Sequence, residues 1–184
     1  VTINDHFEEE GILAVQGPDS LPLVSSLFPE AAKLKPMHFI TTEWKGVPLI
    51  LSATGYTGEK GVEIYAPISA IAGLWKEILD KGRKWGVEPI GLGARDTLRL
   101  EMGYALYGHE LSDAIAPNES VSHWTIKEGA SDFLGKKALD ALMKSGKKRS
   151  AYGVVMDEKK IPRDGCAVLL KGNRIGTVTS GTFS

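Results

Sequence analysis

The sequence predicts an α+β fold, antiparallel or mixed sheets with packed helices, and three observations carry that expectation. Short β-rich runs fill the first part of the chain, amphipathic stretches at helical spacing interrupt them, and the last segment returns to short strands broken at glycines. GILAVQGPDS begins as an apolar strand and breaks at Gly17-Pro18, where Asp19 or Ser20 can cap a helix through LPLVSSLF. HFITTEWKGVPLILSATG divides at Lys45-Gly46 into two β-rich runs, an expected hairpin. GVEIYAP is a further strand, and SAIAGLWKEILDKG brings Ile71, Leu74, Trp75, Ile78 and Leu79 to helical spacing ahead of Gly82. The resulting order β-α-β-β-β-α suits helices layered on one face of a sheet. A second region opens at VEPIGLGARD, with a helix expected over ARDTLRLEMGYAL that sets Leu98 and Met102 four residues apart. SDFLGKKALDALMKSG gives another helix, with Ser131 or Asp132 as its cap. SAYGVVMDEKKIPRDGCAVLLKGNRIGTVTSG reads as short strands with turns at Arg163-Asp164-Gly165 and Lys171-Gly172-Asn173, the expected start of a β-barrel. The expected divisions are residues 1–88, an α+β part; 89–147, a second subdomain with a long helix; and 148–184, the barrel's beginning.

Composition narrows the function. A hydrophobic fraction of 42% in 184 residues can build a core. The formal charge of -1 supplies no basic field for a nucleic acid. Cys166 stands alone, so neither an internal disulfide nor a cysteine-based zinc site is expected, and a reducing cytoplasm suits it. No run approaches membrane-spanning length, and VTINDHFEEEGILAV has no basic leader. His6, His38, His109 and His123 lack metal-ligand spacing, and no metal is expected. Trp75, Trp85 and Trp124 are expected to serve packing, and Lys147-Lys148-Arg149 a solvated face or linker. TVTSGTFS stops in strand-like sequence, which predicts a truncated fold prone to self-association.

The densest polar and glycine-rich cluster runs from Gly55 to Ile64, GYTGEKGVEI. Three glycines in seven positions let the backbone turn sharply or approach a ligand, but the spacing is not that of a phosphate loop. With Val62 and Ile64 facing a core, Glu63 points to the other side of the sheet, where a carboxylate can accept paired hydrogen bonds from a ligand or simply face solvent. In GLGARD, Arg95 offers a planar fork for a carboxylate, or an ion pair with Glu59, Glu63 or Glu101. Arg99 and Glu101 are expected to make helix-surface contacts.

Taken together and in this order, ILAVQGP, GYTGEKGVEIYAP, GLGARDTLRLEMGYALYGHEL, SDFLGKKAL and GTVTSGTFS resemble the glycine-cleavage T-protein family, the aminomethyltransferases, over nearly the whole chain. The resemblance implies transfer of the aminomethyl carbon from lipoylated H-protein to tetrahydrofolate, with release of ammonia. It implies that Tyr56, Glu63 and Arg95 line a folate cavity, with Tyr104 as a further wall residue. It also implies that the family's catalytic aspartate lies in a segment ahead of Val1, so no catalytic residue is assigned and Asp5 is not given that role. PNESVSHWTI departs from the family's glycine-containing pattern at Ser122 and His123. The alternative is a folate-binding regulatory or iron-sulfur-assembly type of module without transferase activity. Such relatives carry a cysteine-containing motif where this chain has GYTGE, and that difference favours the transferase.

Overall fold

The structure, a computed structural model, describes every residue except 1, 128, 130, 147 and 148. It has two compact units, residues 1–95 and 96–184. The fold is α+β, as the sequence predicts.

The first unit is built on a four-stranded antiparallel sheet of β1 (Glu10–Gln16), β2 (Phe39–Trp44), β3 (Val47–Ser52) and β4 (Gly61–Pro67), in the order β1-β4-β3-β2. Helices α1 (Ser20–Leu27) and α2 (Ile68–Gly82) complete the order expected from the sequence. The period-two alternation decides which face is buried. Leu13, Val15, Leu49, Leu51, Val62, Ile64 and Ala66 join Leu23 and Val24 of α1 and Ala70, Leu74 and Ile78 of α2 in one apolar core. Each fully buried Leu or Ile contributes roughly 1.5–3 kcal/mol. The β2–β3 hairpin turns at Lys45 and Gly46, with φ of 52° and 80°, as its right-handed twist requires. Trp44 then packs on α2, where its Nε1 donates to Glu77 at 3.0 Å and its ring leaves no room for a Cβ at Gly73.

Two aromatic expectations need correcting. Trp75 is 44% exposed and Trp124 is 74% exposed, whereas Trp85 packs on the core. Leu74 and Ile78 take the buried stripe of α2, which turns Trp75 outward.

Helix α3 (Leu92–Glu101) crosses the boundary between the units and is shorter than its sequence suggests. Gly103 adopts φ 69°, its N–H bonds to Leu100 O, and the Tyr104 N–H bonds to Arg99 O, a Schellman termination that stops the helix before GYAL. In the second unit, α4 (Lys136–Lys144) begins after Gly135 at φ 91° and takes no side-chain cap from Ser131 or Asp132. β5 (Ala167–Leu170) and β6 (Asn173–Thr177) form a hairpin turning at Lys171 and Gly172, as expected from the turn residues. The SAYGVVM run, read as strand-like, is irregular. Arg149 is largely exposed, as a solvated face predicts, but also pairs with Glu119 through two nitrogens at 3.0 and 2.8 Å. Lys147 and Lys148 lie outside the described residues.

Candidate functional site

The site begins at the carboxyl end of β1 and the amino end of β4, which are paired so that Gln16 stands opposite Gly61 and Ala14 opposite Glu63. Val62 and Ile64 are buried under the helices, so Glu63 faces away from them. Thr54 Oγ1 donates to Glu63 Oε2 at 2.5 Å, and Tyr65 Oη reaches the same oxygen at 3.4 Å. Ser52 Oγ lies 3.0 Å from Thr54 Oγ1 and can donate to it, since the Thr54 proton is committed to the carboxylate. Partial burial, and then the neighbouring Glu63 charge, push the Tyr65 phenol above its ordinary value and keep it a donor. Among the described residues, both hydrogen bonds to Glu63 arrive at Oε2, which leaves Oε1 able to accept.

The segment between β3 and β4 is a loop of fixed shape. Gly58 has φ 77°. The carbonyl of Lys60 accepts the Gly17 N–H at 2.8 Å and Ser20 Oγ at 3.0 Å, which ties the loop to the start of α1. Asp19 and Ser20 were both open as caps of that helix; Asp19 holds the cap position without a side-chain bond, and Ser20 uses its hydroxyl on the loop. Within this loop Tyr56 receives the guanidinium of Arg95 over its ring at 4.5 Å. Arg95 makes no ion pair with Glu59, Glu63 or Glu101 among the described residues, so the alternative reading of its charge is not realised.

The first unit thus gathers an arginine stacked on a tyrosine and a glutamate oriented by Thr54, two residues before that tyrosine. Such a set can clamp a flat heterocycle with N–H donors beside an anionic group. Thr54 and Tyr65 escaped the sequence reading. The alternation of β4 could have found Tyr65, which shares the face of Glu63.

Tyr104 belongs to the second unit, where its carbonyl is part of a different structure. Arg99, 1% exposed, donates to Asp96 at 2.7 Å, to the Tyr104 carbonyl at 3.0 Å, to Glu110 at 2.8 Å and to Ser180 at 2.8 Å. Its expected surface role is therefore wrong. Glu110 also accepts from Thr179 at 2.5 Å and from the Leu106 N–H at 3.1 Å. Burial pushes Glu110 up, but hydrogen bonds from Thr179, Ser180, the Leu106 N–H and Arg99 outweigh it and hold the carboxyl below its ordinary value. Arg99, opposed by burial, is raised by Asp96 and Glu110. The polar residues of ARDTLRLEMGYALYGHEL thus divide: Arg95 lies over Tyr56 in the first unit, while Arg99 and Glu110 bond to one another in the second.

A shallow concavity of about 320 Å³, lined by Pro117, Thr125, Ile126, Lys127, Phe133 and Leu139, contains no residue of the proposed site and no paired titratable groups. Among the described residues no cluster of His, Cys, Asp and Glu could hold a metal ion, and no helix is long and apolar enough to cross a membrane.

The family model described as the GCVT N-terminal domain matches residues 1–129. An aminomethyltransferase of Prosthecochloris aestuarii is 41% identical over 187 residues, covering 100% of this chain and 51% of the relative. An aminomethyltransferase of Bdellovibrio bacteriovorus is likewise 41% identical, over 99% of this chain and 51% of its own length. The chain therefore spans about half the length of the curated relatives it matches. The crystal structure of glycine cleavage system aminomethyltransferase T from Bartonella henselae superposes with a TM-score of 0.84 at 31% identity, over 95% of this chain and 48% of that one.

Proposed function

This chain belongs to the glycine-cleavage T-protein family, and from that premise we propose that its first unit forms the folate-binding part of an aminomethyltransferase. The whole reaction would carry the aminomethyl carbon from lipoylated H-protein to tetrahydrofolate and release ammonia, in the cytoplasm.

The observation that carries this reading is the Arg95 guanidinium stacked on Tyr56, within one loop's reach of a Glu63 whose Oε1 can accept. The residues suit the ligand: a pterin ring presents adjacent amino and ring N–H groups to a carboxylate, and the Tyr56–Arg95 stack supplies a flat, positively charged surface. Tetrahydrofolate would supply the nucleophilic amine that accepts the one-carbon unit. The chain's own part is to bind and orient. Glu63 accepts, Thr54 and Tyr65 hold Glu63 in place, and Arg95 fixes a charge beside Tyr56.

Calorimetry with tetrahydrofolate tests the reading. Wild-type chain is expected to bind saturably, and Glu63→Ala to lose on the order of 1.5–3 kcal/mol, the value of hydrogen bonds to a charged group. Equal affinity in the two proteins would remove Glu63 from the site.

A further inference from the structure

We propose that Gln16 is the positioning residue of the binding loop, an inference that rests on the folate-binding reading above. Gln16 closes β1 and stands in register with Gly61 on β4. Its side chain fills the space between Gly55 and Gly61, and a Cβ added at either glycine would collide with its amide. Neither glycine has a positive φ, so what a larger residue would meet at either position is the Gln16 amide, which would have to move, rather than a backbone constraint. The amide Nε2 donates to the Thr54 carbonyl at 3.3 Å, and Oε1 accepts from Thr57 Oγ1 at 3.4 Å.

One side chain therefore touches the loop where it leaves β3, at its middle and where it enters β4. Tyr56 lies between those contacts, and Thr54, the residue whose carbonyl Gln16 holds, is also the residue whose hydroxyl orients Glu63. Gln16 presents no group to the ligand in this arrangement. It acts through Tyr56 and Glu63, by fixing the turn that sets both. The signal was present in ILAVQGP, where a polar residue ends an apolar strand, but only the antiparallel register puts that residue against GYTGEKG.

The test compares the full chain with Gln16→Ala by calorimetry against tetrahydrofolate and by limited trypsin digestion, with cleavage after the exposed Lys60 read by mass spectrometry. Loss of the wedge is expected to weaken binding on the order of 10-fold or more and to speed cleavage after Lys60 by a similar factor, with the thermal midpoint little changed. Gly61→Ala provides a second reading that needs no ligand. It is expected to speed Lys60 cleavage in the wild-type background and to change it little in the Gln16→Ala background, because the three atoms nearest the added methyl all belong to Gln16. Equal tetrahydrofolate affinity with and without Gln16 overturns the proposal. Should wild-type chain fail to bind, the folate reading falls and digestion alone decides: unchanged Lys60 cleavage, or additive effects of the two substitutions, overturns the positioning role, whereas faster cleavage in each single variant with no further increase in the double variant upholds it.

Discussion

Arg99 shows how far a residue's role can depart from its local pattern. Its spacing on a polar helix suggests solvent, yet it is the largest fully buried side chain of the described residues and satisfies its guanidinium on four different partners. Those partners lie at positions 96, 104, 110 and 180, and only the first, three residues back on α3, is within the reach of helix-surface reasoning. A planar fork is needed for this arrangement, which an ammonium cannot reproduce. Arg99→Ala strands the 9%-exposed Glu110 side chain without its cation and is expected to cost about 3–5 kcal/mol, with Arg99→Lys recovering only part of it. Chemical denaturation followed through the second unit measures this, and a cost below about 1 kcal/mol would mean that the network is surface decoration.

At the scale of elements, the hairpins were legible because their chemistry is local: Lys45-Gly46 and Lys171-Gly172 both occupy the left-handed backbone region that tight two-residue turns demand. The end of α3 was not legible, since LRLEMGYAL continues a good helical pattern and only the Gly103 turn interrupts it. An added Cβ at Gly103 meets no neighbour, so the cost of Gly103→Ala is conformational alone. It is expected at about 1 kcal/mol, read as a lower denaturation midpoint with unchanged slope. A stabilised variant would show instead that the chain can continue as helix into Tyr104. The start of α4 misled in the opposite sense: Ser131 and Asp132 are good capping residues, but the chain enters the helix through Gly135.

Over the whole molecule the two units are held by different forces. The clustered apolar core of buried residues lies entirely within the first unit, between Leu13 and Ile78. The buried side chains of the second, among the described residues, are Arg99 and Ser120, and its ties are the Arg99–Glu110 network and the Arg149–Glu119 pair. Hydrogen bonds from Arg149, with help from the Ala116 N–H, hold Glu119 down to about 2. Glu110 is also held below its ordinary value. A lowered folded-state pKa stabilises the fold above the unfolded value and loses that contribution as pH falls through the folded one. The second unit should therefore lose stability between about pH 4.5 and pH 2. Because Arg149 is largely exposed, the Glu119 share is about 1 kcal/mol. In the first unit Glu77 is similarly lowered, chiefly by Lys45, but an apolar core does not titrate. Hydrogen exchange at pH 3 is expected to show amides of residues 96–184 losing protection before those of the first sheet, and Glu119→Gln to reduce the difference. Simultaneous loss in both units would contradict this division.

Periodicity and turn chemistry alone determined the α+β class, the order of the first six elements, the face on which Glu63 lies and both hairpins, because each depends on neighbours a few residues apart. Motif content in the sequence likewise pointed to the family. Only the tertiary structure decided that Arg95 lies on Tyr56, that Thr54 orients Glu63, that Gln16 wedges between two glycines and that Arg99 is buried. Each of these joins groups whose approach depends on strand register or on segments distant in sequence, and no local pattern encodes what a folded chain brings within hydrogen-bonding distance.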